Sequence, residues 1–85
     1  MEIVFTPKAQ SDLKDWRKSG NIVVQKKITE ILQSIELSPF EGIGKPEPLK
    51  HELSGKWSRR INREHRIIYS QEGDILNIYS LKGHY

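Results

Sequence analysis

The chain reads as an α+β domain, with an N-terminal strand and a two-helix hairpin packed on one face of an antiparallel sheet. Three observations predict this. Two stretches of helical apolar periodicity stand next to each other in the first half of the 85 residues. The second half carries short runs rich in Ile, Tyr and Trp, separated by turn residues. A brief apolar run precedes both.

That first run, EIVF at residues 2–5, is the predicted opening strand. Thr6-Pro7 then starts a helix, with Thr6 as N-cap and Pro7 in the first turn, where its missing N–H costs nothing. Ala9, Leu13 and Trp16 follow at spacings of four and three, on one helical face. Ser19-Gly20 ends the helix and Asn21 caps the next. Val24, Ile28, Ile31, Leu32 and Ile35 form its stripe, with Lys26, Lys27 and Glu30 turned to solvent, and Ser38-Pro39 stops it.

Gly42, Gly44, Pro46 and Pro48 make the next stretch a loop. Residues 48–53 are expected to hold a short edge strand, and Ser54-Gly55 a turn. Trp57–Ile61 and His65–Ser70 are two strands joined through Asn62-Arg63-Glu64. In the second of these His65, Ile67 and Tyr69 share one face and Arg66, Ile68 and Ser70 the other. Glu72-Gly73-Asp74 turns into a last strand, Ile75–Leu81, and a short tail ends at Tyr85.

A chain this short is a single domain with a modest core, so partner contacts, including a homodimer, are plausible aids to stability. It has no cysteine, which removes disulfide and thiolate-metal frameworks and suits a reducing cytoplasm. Neither a signal peptide nor an apolar run of membrane-spanning length is visible, so a cytoplasmic protein without a membrane partner is expected. The net charge is +3, and its distribution says more than its size. Residues 1–42 carry six cations and six anions, so the whole excess lies in residues 43–85, mostly between Lys45 and Arg66. A basic patch beside Trp57, Tyr69, Tyr79 and Tyr85 suits nucleic acid, and equally a solvated face.

Almost every group able to do chemistry falls in residues 41–66: Glu47, Lys50, His51, Arg59, Arg60, Glu64, His65 and Arg66, with His84 beside the C-terminus. A carboxylate, fixed cations and an imidazole suit a phosphate ester. RNA brings its own nucleophile. A base takes the 2′-OH proton, cations balance the phosphorane, and an acid protonates the departing 5′-oxygen. Glu47, between two prolines, is a candidate base; Arg66, on a strand, a phosphate fork; His84 a proton donor; Tyr85 a stacking ring. The reaction needs no metal or cofactor. Structural uses compete with each assignment. Glu47 could be a surface carboxylate near Lys45 and Lys50, and Arg66 could pair with Glu64 or Glu52. Arg59 and Arg60 could guard an edge strand, and His84-Tyr85 could be a frayed end. The three histidines with Glu47 match no metal-ligand spacing. There is no phosphate-binding glycine loop, no serine nucleophile motif and no helix-turn-helix with a basic recognition helix.

The run PFEGIGKPEPLKHELSGKWSRRINREHRIIY, residues 39–69, together with the ending Gly83-His84-Tyr85, resembles the YoeB toxins. These are a branch of the RelE-like, ribosome-dependent mRNA interferases of bacterial toxin–antitoxin systems. The likeness covers essentially the whole chain. It implies one RelE/YoeB-like toxin domain over residues 1–85 with the small microbial-RNase fold, cutting mRNA in the ribosomal A site. By resemblance Glu47 is the general base and His84 the general acid. Arg66 stabilises the phosphorane and Tyr85 supports activity. Lys50, Arg59 and Arg60 hold RNA or ribosome, and neither cofactor nor metal takes part. The resemblance also implies a cognate antitoxin of the YefM/Phd type, binding through its C-terminal segment, with DNA contacted only through the antitoxin. A non-catalytic A-site blocker, or an inactive toxin kept for regulation, stays open beside the nuclease.

Overall fold

The computed structural model describes residues 2–83. Eight elements follow one another: β1 (Glu2–Phe5), α1 (Pro7–Ser19), α2 (Ile22–Leu37), β2 (Glu47–Pro48), a 3-10 turn (His51–Leu53), β3 (Trp57–Arg60), β4 (Arg66–Glu72) and β5 (Ile75–Ser80). The five strands form one sheet in the order β1-β5-β4-β3-β2.

Local chemistry explains the helical half. The Thr6 hydroxyl accepts the Ala9 amide at 3.2 Å, and the Asn21 side chain accepts that of Val24 at 3.0 Å. Gly20 closes α1 in the left-handed region at φ 70°. The stripes of both helices then close on Ile67, Tyr69, Leu76 and Ile78, with Ile61 and Leu81 completing the cluster. Both helices therefore cover one face of the sheet, as expected.

The sheet itself differs from the expectation in two places. It is mixed, because β1 pairs parallel to β5, from Glu2 against Ile75 to Phe5 against Ile78. The helical hairpin supplies the crossover that a parallel neighbour requires. The other three pairings are antiparallel. The edge strand lies earlier than expected and is only two residues long. Residues 51–53, expected to be extended, instead form the 3-10 turn, entered through His51 at φ 58°. A bulge in the β4–β5 pairing sets Ile68 opposite Ser80 and Tyr69 opposite Ile78, leaving Tyr79 without an opposite residue.

The uncovered face of the sheet collects polar groups. Alternation along β4 sends Arg66, Ile68 and Ser70 away from the helices. Leu49 and Ile68 are buried there, outside the helix-covered cluster. The Ser70 and Tyr79 hydroxyls share a hydrogen bond of 2.8 Å.

Candidate active site

The site is assembled across three neighbouring strands. Glu47 on β2 lies opposite Ser58 on β3, and Ser58 lies opposite Ile68 on β4. Ser58 is fully buried, and its small side chain leaves room for Arg66 to reach across it. Arg66 Nη1 donates to Ser58 Oγ at 3.4 Å and stands 3.6 Å from Glu47 Oε2. The Arg66 side chain is 20% exposed and that of Glu47 56%, so the guanidinium is held within the sheet face while the carboxylate faces water. The alternatives of pairing Arg66 with Glu64 or Glu52 give way to this one.

Arg60 is the cross-strand partner of Arg66, so two arginines sit side by side at this end of the sheet. Like charges placed opposite each other repel, and an anionic ligand relieves the repulsion. Glu47 and Lys50 line one shallow cavity of about 340 Å³, with Pro48, Leu49, His51 and Leu53. Lys50 is exposed there. His51, named above among the groups able to do chemistry, shares the same wall.

Arg59 is corrected. The expectation that it contacts RNA fails on burial, since it is 0% exposed and points into the protein. Its five N–H groups are all used within the chain. Nε donates to Tyr69 OH at 3.1 Å, and Nη1 to Ser34 Oγ at 2.7 Å and the Ile43 carbonyl at 3.2 Å. Nη2 donates to the carbonyls of Ser38 and Glu41 at 2.6 and 2.8 Å. The guanidinium thus pins the loop that runs from α2 to Glu47. Its edge-guard alternative fails as well, because β3 is an inner strand.

His84 and Tyr85 lie outside the described residues. Their predecessor does not. Gly83 O accepts from the Arg66 amide at 3.1 Å, and Gly83 N donates to His65 Nδ1 at 2.9 Å. Residue 84 therefore follows, one peptide bond on, from a residue hydrogen-bonded to the backbone of Arg66. Three further residues build this end: Asp12, which the sequence reading misses, Trp16, read there only as a helix-face residue, and His65, read only as one of several groups able to do chemistry. Asp12 is buried and its Oδ2 accepts from Lys8 Nζ, Ser80 Oγ and Leu81 N at 2.7, 3.3 and 3.0 Å. Trp16 Nε1 donates to Leu81 O at 2.8 Å. His65 stands edge-on to the Trp16 ring, with centroids 4.8 Å apart. One signal was available: Asp12, three residues after Ala9 and four before Trp16, is a carboxylate on an apolar stripe. Among the described residues no group of three or more His, Cys, Asp or Glu could hold a metal ion.

Known proteins are similar to this chain in sequence and fold. The family described as "YoeB-like toxin of bacterial type II toxin-antitoxin system" matches residues 5–85. The toxin YoeB of Escherichia coli O6:H1 is 45% identical over 85 residues, covering 100% of both chains. The YoeB/ParE toxin from Agrobacterium tumefaciens superimposes with a TM-score of 0.94 at 36% identity, covering 100% of both chains. YoeB of Staphylococcus aureus, solved in a YoeB–YefM complex, gives a TM-score of 0.89 at 45% identity, covering 100% of this chain and 98% of that one. A YoeB dimer from Staphylococcus aureus gives 0.89 at 44% identity and the same coverage. With sequence and fold agreeing along the full length, the chain belongs to the YoeB-like toxins of bacterial type II toxin–antitoxin systems.

Proposed function

We propose that this toxin is a ribosome-dependent endoribonuclease that cuts mRNA in the A site through attack by the substrate's own 2′-OH. The observation that carries the reading is the 3.6 Å approach of Arg66 to Glu47, with Gly83 bonded to the Arg66 amide. This brings a solvent-facing carboxylate and a fixed guanidinium within one phosphate's breadth of each other. Gly83, the last described residue, is bonded to the backbone of the same arginine.

In the proposed reaction Glu47 removes the 2′-OH proton and the oxygen attacks phosphorus. Arg66 balances the charge gathering on the equatorial oxygens. His84 protonates the 5′-oxygen as the P–O5′ bond breaks, leaving a 2′,3′-cyclic phosphate and a 5′-hydroxyl. Tyr85 supports the reacting nucleotide. Lys50 and Arg60 hold RNA or ribosome. The nucleophile belongs to the substrate, so the reaction runs without a metal or cofactor of the toxin's own. The toxin works in the cytoplasm, and a YefM/Phd-like antitoxin neutralises it through its C-terminal segment and carries the contact with DNA. A toxin homodimer is part of the same proposal, supported by the dimer of the S. aureus relative.

The test is primer extension on a translating, programmed ribosome with the wild type and Glu47→Gln. The wild type is expected to cut within the A-site codon. The amide, unable to take the proton, should slow cutting by about 100-fold to 10,000-fold, the usual worth of a positioned general base. A stalled ribosome with intact mRNA in both cases would favour the non-catalytic blocker instead.

A further inference from the structure

We infer that His65 is a positioning residue for the C-terminal pair, acting through the Gly83 amide; the inference rests on the nuclease reading above. Both backbone polar groups of residue 83 are held. His65 Nδ1 accepts its N–H at 2.9 Å, and the next residue's amide, that of Arg66, donates to its carbonyl at 3.1 Å. The turn this closes sets Gly83 at φ 95°, a conformation that glycine tolerates and side chains resist. Gly83 is thus held next to the Arg66 backbone.

The imidazole can serve as this clamp because its own orientation is fixed. Trp16 meets the ring edge-on, at an interplanar angle of 88°. The Trp16 indole N–H in turn holds Leu81 O, two residues before Gly83. Accepting at Nδ1 sets the tautomer of the neutral ring, so the proton stands on Nε2, 3.9 Å from Glu64 Oε2. The Leu81 amide is tied to Asp12 and the Lys82 carbonyl to Lys8 Nζ at 3.3 Å. Those anchors hold residues 81 and 82 against α1. The His65 contact acts with the Arg66 amide to turn residue 83 toward β4.

The assignment separates acceptor from ring. His65→Phe keeps an aromatic edge against Trp16 and removes the acceptor. His65→Asn gives up the ring but offers Oδ1 close to where Nδ1 stood. Two readouts apply to each variant: hydrogen exchange of the Gly83 amide in the isolated toxin, and the A-site cleavage rate. In His65→Phe the Gly83 amide should lose its protection and cleavage should fall by about 100-fold, the scale of a small misplacement of a reacting group. His65→Asn should restore most of both.

Equal losses in the two variants would make His65 a packing residue and overturn the inference. So would full Gly83 protection, or wild-type cleavage, in His65→Phe. If His65→Phe does not fold, glycolic acid can be placed at position 83 by ligation, putting an ester oxygen where the N–H stood. The same loss of cleavage is then expected, and an unchanged rate overturns the clamp. If the wild type leaves mRNA intact, the nuclease reading falls, and with it the catalytic purpose of the clamp. Gly83 protection would still decide whether His65 holds the tail.

Discussion

Tyr69 shows how far a single side chain here departs from its behaviour in water. Its ring is fully buried, its hydroxyl donates to Pro39 O at 2.6 Å, and it accepts from Arg59 Nε. Burial pushes the phenol above its ordinary value of 10.0, and the neighbouring Arg59 pulls against that rise without cancelling it. The folded state therefore holds the phenolic proton more tightly than the unfolded chain. The resulting stability is fully present below 10.0 and is lost as pH climbs through the raised folded value. Urea unfolding from pH 9 to pH 11 should show a fall in stability that is shallower in Tyr69→Phe. An identical slope in the two proteins would show that Tyr69 does not carry the effect.

At the scale of elements, the site depends on a loop that has no regular structure of its own. Residues 38–46 are positioned by the single guanidinium of Arg59, which bonds three of their carbonyls, and by Arg60 N, which donates to Gly44 O at 2.6 Å. Gly44, at φ 83°, passes so close that an added Cβ would come within 3.1 Å of Arg59 Cβ and Arg60 O. Phe40 packs on Trp57, with ring centroids 4.8 Å apart. Arg59→Met keeps most of the stem's volume and strands these carbonyls. It should cost on the order of 3 kcal/mol, a large part of a small domain's stability. A lower urea midpoint checks this, and a midpoint within error of the wild type would contradict the anchoring role. Arg59→Lys should recover only part of the loss, because an ammonium cannot span five acceptors.

The same loop marks where legibility in sequence ended. The helices were readable because their apolar spacing and their caps, Thr6 and Asn21, agree. Strands β4 and β5 were readable from alternation and turn residues, and β3, which alternates poorly, from its β-favouring residues. The two-residue strand at Glu47-Pro48 was hidden because flanking prolines signal a loop whether or not one pair of residues joins a sheet. The parallel place of β1 is a long-range fact that a four-residue run cannot carry. In the Arg59-Arg60 pair, alternation requires one to face inward, yet an inward arginine becomes intelligible only once Tyr69, Ser34 and the loop carbonyls are seen around it. Glu47 and Arg66 were both readable as candidates from their residue types. Their approach to each other came only with the β2–β3–β4 register.

For the whole molecule, the two faces of the sheet divide the work. The helices, the apolar cluster and the buried Arg59 occupy one face, and Glu47, Arg60 and Arg66 the other. The chain's two ends tie the faces together. Helix α1 near the N-terminus holds Leu81 and Lys82 through Asp12, Trp16 and Lys8, and the tail then turns to Arg66. Residues 81–83 are thus set by the first helix as much as by the last strand.

The central claim is that this face drives a 2′-OH to attack phosphorus. It is tested most directly with an mRNA carrying a single 2′-deoxy nucleotide on the 5′ side of the bond cut in the A-site codon. On the unmodified message the account predicts a 5′ fragment ending in a 2′,3′-cyclic phosphate. On the deoxy message it predicts an intact strand at that position. Cleavage of the deoxy-substituted bond, or a 5′ fragment ending in a free 3′-hydroxyl, would contradict it.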